Sequence, residues 1–115
     1  MLFASPKIQN EVLAKLKSVV GDTGVTGDET DLLVYECDAL ALFKEKPDIV
    51  VFPRTTEDVS KIVKIANEYG VPFLPRGAGT GLSGGALAAK GGIIIAMQRM
   101  NEIISIDPTN RIAVL

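Results

Sequence analysis

The sequence predicts an α/β fold, α+β overall once its C-terminal end is included: a small parallel β-sheet with flanking helices, then the start of an antiparallel hairpin. Three observations carry this reading. Ile49–Phe52 and Gly92–Met97 are continuous apolar runs, the pattern of strands buried on both faces. Between them Val59, Ile62, Val63, Ala66 and Tyr69 recur at the spacing of one helix face. Strand, helix and strand joined by short connections form a parallel βαβ unit.

Taken in order, Ser5 and Pro6 read as the N-cap and first residue of a helix. Ile8, Val12, Leu13, Leu16 and Val19–Val20 give that helix its apolar face, and Gly21 ends it. Residues 21–31 are polar and rich in turn formers, a surface loop. Residues 32–43 show no clear period, with Asp38 placed to cap a short helix over Ala39–Phe43; residues 44–48 form a turn. Pro53 closes the first strand. Thr55 and Asp58 then make a capping-box start, and Gly70 with Pro72 stops the second helix. A short strand over Val71–Leu74 leads into a glycine-rich loop and the strand Gly92–Met97. Ile103–Ile106, the turn Asp107–Asn110 and Arg111–Leu115 read as a hairpin. The chain stops inside that last apolar run, which reads as the N-terminal piece of a longer protein.

Composition narrows the function classes. A formal charge of -2 offers no basic stripe for nucleic acid. No apolar run approaches the ~18–20 residues needed to span a bilayer, and the N-terminus lacks the charged leader and apolar core of a secretory signal. Cys37 stands alone, a packing residue that can form no internal disulfide and fits a reducing compartment. With no histidine and one cysteine, the chain offers neither a transition-metal site nor a Ser-His-Asp triad, so no metal is expected.

The stretch Pro75-Arg-Gly-Ala-Gly-Thr-Gly-Leu-Ser-Gly-Gly-Ala86 holds five of the eleven glycines. Glycines here let backbone amides close on a ligand without Cβ atoms in the way, an arrangement suited to a diphosphate. An ordinary flexible turn is the plain alternative; the flanking order of strand, Pro-Arg, glycine loop, strand argues against it. Gly79, Gly81 and Gly84 match the letters of a dinucleotide fingerprint, but too few residues follow before the next strand for its crossover helix. Gly79 and Gly84 have Walker A spacing, yet Gly85-Ala86 stands where Lys-Ser/Thr is needed.

Residues Pro47–Val59 together with Pro75–Ala86 resemble the FAD-binding domain of the vanillyl-alcohol oxidase / p-cresol methylhydroxylase (PCMH) superfamily. Within it the likeness is to the D-subunit of glycolate oxidase and to D-lactate dehydrogenases, and it runs over roughly residues 30–115. The resemblance implies a two-lobed FAD domain with the cofactor between the lobes. Residues 1–46 would be an N-terminal helical segment and loop, and 47–115 the truncated first subdomain. After Pro75, the backbone of Arg76, Gly77, Ala78, Gly79, Thr80 and Gly81 would cradle the diphosphate, with Leu82, Ser83, Gly84 and Gly85 finishing the loop. The Ser83 hydroxyl would reach a phosphate oxygen or cap the turn. The Arg76 side chain would clamp phosphate or point outward to a carboxylate.

Covalent members of the superfamily attach flavin through a histidine where Thr80 stands, so the resemblance implies non-covalent FAD. It further implies a longer enzyme that oxidises a small 2-hydroxy acid, glycolate or D-lactate, by hydride transfer to FAD. No catalytic residue is assigned here: Asp38, Glu57, Asp58 and Glu102 read as solvated or capping, and the piece alone should be inactive. Relatives suggest an iron–sulfur partner subunit and a cytoplasmic protein, with contact at the periphery of the inner membrane left open. The isolated piece is expected to self-associate, in part through residues 111–115. The rival readings are an assembly module that has lost flavin and a protein that binds simple phosphate esters.

Overall fold

In the computed structural model, which describes Phe3 and residues 5–115, one four-stranded sheet organises the chain. Its strands are β1 (Val25–Thr26), β2 (Ile49–Val51), β3 (Phe73–Arg76) and β4 (Ile93–Ala96), in the order β1-β2-β4-β3. β4 pairs in parallel with both neighbours, Ile49 opposite Ile93 on one side and Phe73 opposite Ile93 on the other. β1 runs antiparallel to β2, with Val25 opposite Val51. The expected α/β class therefore stands, with a mixed sheet whose parallel part is β2-β4-β3.

Alternation along the central strands splits the core in two. Ile49, Val51, Ile93 and Ile95 face one side and pack with Val12 and Leu16 of α1 (Pro6–Val20) and Ile62 and Ala66 of α3 (Thr56–Glu68). Val50, Ile94 and Ala96 face the other, under Leu32 and Ala88. Both faces being covered explains why the strands read as unbroken apolar runs. Each such isoleucine, fully removed from water, contributes on the order of 2–3 kcal/mol.

The helix ends are built as the residues dictate. The Ser5 side chain accepts from the Ile8 amide, and Pro6 stands at the first turn, where no intrahelical donor is needed. At α3 the box is reciprocal: Thr55 Oγ1 accepts from Asp58 N at 3.1 Å, and Asp58 Oδ2 accepts from Thr55 N at 3.2 Å. Gly70, at φ 63°, closes α3 with two bonds, Gly70 N to Asn67 O and Val71 N to Ala66 O. That is a Schellman closure, and it corrects the strand expected over Val71–Leu74. Because the closure uses Val71, the strand begins at Phe73 and runs through Pro75 and Arg76. Pro75 is tolerated because β3 is an edge strand, where a missing N–H costs no ladder bond.

The polar stretch 21–31, expected as a plain surface loop, holds β1, a 3₁₀ turn over Asp22–Gly24 and the start of the one-turn helix α2 (Glu29–Leu32). Residues on both sides of the 46/47 position thus share one sheet. No helix forms over Ala39–Phe43; those residues are bends and turns, with Ala41 at φ 51°. The hairpin β5 (Ser105–Asp107) and β6 (Ile112–Val114) forms as expected but stands apart from the main sheet. Its residues are exposed, the apolar ones included. No helix among the described residues is long and apolar enough to cross a membrane.

Candidate functional site

The glycine loop leaves the carboxyl end of β3, the end at which ligands of open parallel sheets bind. No crossover helix joins β3 to its parallel neighbour β4; residues 77–92 make the connection as bends and turns.

Arg76 sets the shape of the loop from beneath. Its side chain is 7% exposed. Nη2 donates to Cys37 O at 2.8 Å and Nη1 to Ala86 O at 3.1 Å, so the guanidinium ties both ends of the loop to the preceding segment. The guanidinium carbon also lies 5.6 Å from the centre of the Tyr35 ring, which packs edge-to-face with Phe52, ring centres 6.0 Å apart. Burial pushes the Tyr35 hydroxyl above its ordinary pKa, against the opposing pull of Arg76. The side chain does not point outward to a carboxylate, one of the two expectations for it: it points inward, where the carbonyls of Cys37 and Ala86 satisfy it. Among the described residues Arg76 makes no ion pair. The guanidinium and the Asp38 carboxylate thus lie buried against the same loop, each held by main-chain groups.

Asp38 is the second departure. It is 8% exposed rather than solvated, and it starts no helix. Oδ1 accepts from Leu40 N at 3.0 Å and Oδ2 accepts from Gly84 N at 3.0 Å. The neighbouring Ala39 N donates to Gly81 O at 3.3 Å. Nothing in the sequence marked these contacts, since residues 32–43 have no period and the partners lie some forty positions away.

Within the loop, the amides of Ala78, Gly79, Thr80, Gly81, Leu82 and Ser83 donate no hydrogen bond within the described residues, and the Ser83 hydroxyl caps no neighbouring amide. The five glycines divide in an informative way. Gly79 and Gly84 have φ 72° and 76°, and a Cβ on Gly79 would overlap the Arg76 guanidinium, lying 2.7 Å from its carbon. The fold itself requires glycine there. Gly77, Gly81 and Gly85 have no positive φ, and a Cβ on each would meet no atom within 4 Å. Neither backbone strain nor packing within the described residues accounts for them. The loop residues are mostly exposed.

Glu57 and Glu102 are exposed, and Asp58 is spent on its helix cap. A cleft of about 450 Å³ lined by Val25, Thr26, Asp31, Tyr35 and Phe52 lies beside the Tyr35–Arg76 stack, and no residue of Pro75–Ala86 lines it.

Comparison with known proteins places this geometry. The sequence profile described as "FAD binding domain" matches residues 47–115. Over 103 residues the chain is 37% identical to glycolate oxidase subunit GlcD of Escherichia coli K12, covering 90% of this chain and 21% of that protein. It is 35% identical over 105 residues to a D-lactate dehydrogenase of Anaerostipes hadrus, covering 90% of this chain and 22% of the other. Among solved structures it superposes on p-cresol methylhydroxylase with a TM-score of 0.78 at 28% identity, over 90% of this chain and 21% of that one. The chain thus spans about a fifth of the length of these relatives.

Proposed function

This chain belongs to the FAD-binding domain family, and from that premise we propose that it is the first lobe, residues 47–115 with the preceding helical segment, of a flavoprotein oxidoreductase. The cofactor's diphosphate rests on the backbone of Pro75–Gly85. The observation that carries this reading is the pairing of unspent amides from Ala78 to Ser83 with glycines at 77, 81 and 85 that nothing in the fold demands. The amides bind the phosphate oxygens, and the missing Cβ atoms permit the approach.

FAD is held without a covalent bond, since Thr80 offers no nucleophile comparable to a histidine ring. Once bound, the flavin supplies the redox chemistry by accepting a hydride from the substrate. The relatives glycolate oxidase and D-lactate dehydrogenase support a small 2-hydroxy acid as that substrate. The residues described here bind and orient the cofactor; those that handle the substrate belong to other parts of such an enzyme. An iron–sulfur partner subunit and a cytoplasmic location, with the inner-membrane periphery left open, complete the proposal. Self-association of the isolated chain belongs to it too, supported by the exposure of Ile103, Ile104, Ile106, Ile112, Val114 and Leu115. A clean monomer in sedimentation at high concentration would remove that part.

The deciding experiment is an absorbance spectrum of the purified full-length gene product before and after acid precipitation. Flavin bands that move into the supernatant are expected. Bands retained by the pellet refute the non-covalent part, and a colourless protein that takes up no added FAD refutes the cofactor.

A further inference from the structure

We propose that Asp38 is a positioning residue for the cofactor diphosphate, acting through the glycine loop that it braces; this rests on the reading of that loop as a diphosphate site. The segment Cys37–Ala39 lies outside the stretch matched by the family profile, yet it touches the loop at its start, middle and end. Cys37 O receives Arg76, Ala39 N reaches Gly81 O, and the Asp38 carboxylate receives the Gly84 amide. Between the outer two contacts lie the amides that remain unspent.

The chemistry demands a carboxylate. Two backbone N–H groups, of Leu40 and Gly84, point at two different oxygens of one buried side chain, each at 3.0 Å. Only an ionised carboxylate offers two oxygens that both accept without a proton in the way. An asparagine of the same shape would satisfy one amide and turn an NH₂ toward the other, leaving a buried donor facing a donor. Asp38 fixes one loop amide so that its neighbours keep their orientation when no ligand is present. A ligand then meets donors that are already arranged, and the ordering cost of binding falls. Each carboxylate oxygen already accepts one amide, and the residue lies buried.

The test uses the full-length gene product, with Asp38→Asn and Asp38→Ala, titrated separately with FAD and with riboflavin, which has the same ring and no diphosphate. Loss of one hydrogen bond to a charged group predicts FAD affinity weaker by about tenfold or more in both variants. Riboflavin affinity should fall by less than FAD affinity, because only FAD carries the diphosphate that the braced amides would hold. Amide exchange in peptides spanning residues 77–87, followed by mass spectrometry, should quicken in the variants while exchange over β2 and β4 is unchanged.

If FAD binding survives Asp38→Asn, or falls in step with riboflavin, or the loop exchanges at the wild-type rate, the proposal is overturned. A wild type that binds no FAD overturns the diphosphate reading instead, and this inference with it. Should Asp38→Ala fail to fold, the near-isosteric Asp38→Asn decides alone.

Discussion

Replacing Gly81 with alanine sets the needs of the fold against the needs of a ligand. The added methyl meets no atom within 4 Å, and the backbone there is not in the left-handed region. The contact from Ala39 N to Gly81 O involves main chain only and survives. With no strain to add, the substitution removes freedom chiefly from the unfolded chain and should raise stability by about 0.4–1 kcal/mol. The ligand sees the opposite. An N–H···O contact to phosphate closes to about 2.8 Å, nearer than a methyl on the same residue allows an oxygen bound from its open side. One charge-assisted bond is lost, about 1.5–3 kcal/mol, or about ten- to a hundredfold in affinity. Urea unfolding and FAD titration of the full-length product measure the two sides independently. Wild-type affinity in Gly81→Ala would refute the argument that an outside ligand explains this glycine. A stability loss above about 1 kcal/mol would instead show that the fold needs it.

Gly79→Ala should behave in the reverse way, destabilising the chain itself by about 2–4 kcal/mol through the left-handed backbone and a displaced Arg76; an unchanged denaturation midpoint would contradict the packing described. Thr55→Ala removes one half of the reciprocal cap on α3 and should cost about 1 kcal/mol in chemical denaturation, with Thr55→Ser recovering most of it. The hydrogen bond from the Asn110 side chain, aided by the Asn110 and Thr109 amides, holds the Asp107 carboxyl below its ordinary 3.8. Its contribution to the β5–β6 turn is therefore present above that ordinary value and lost as pH falls through the lowered one. The Thr109 and Asn110 amide resonances should titrate with a midpoint under 3.8, and a midpoint at or above it would be inconsistent with the turn.

Local chemistry made much of this fold readable. Ser5-Pro6, Thr55 with Asp58, and Gly70-Pro72 mark helix ends through bonds to residues three to five positions away, and the helix boundaries follow from them. The isoleucine-rich runs of β2 and β4 announce burial on both faces. The Val71–Leu74 strand was displaced because the helix closure competes for Val71, an effect that composition alone does not weigh. β1 went unread because two residues carry no period, and their strand character comes wholly from pairing with β2. The candidate loop was visible as a glycine cluster, but its brace was not. Asp38, Tyr35 and the Cys37 carbonyl act across long sequence separations, and their roles depend on burial that only the assembled sheet creates.

The direct connection from β3 to β4 has a mechanical consequence. Parallel neighbours require the chain to return from the top of one strand to the bottom of the next. Here the first half of that return forms the glycine loop, and the second half descends across the sheet with Ala88 buried on Val50, Ile94 and Ala96. One span of chain is thus both cradle and roof tile. It is anchored at Arg76, Gly84 and Ala88, and Gly92 N is tied to Asp48 Oδ2 at 2.8 Å. Such a span has little slack to swing as a flap. The place of the glycine loop relative to the sheet is gauged by the length of the connection, and an inserted residue there would move the loop and loosen the roof together.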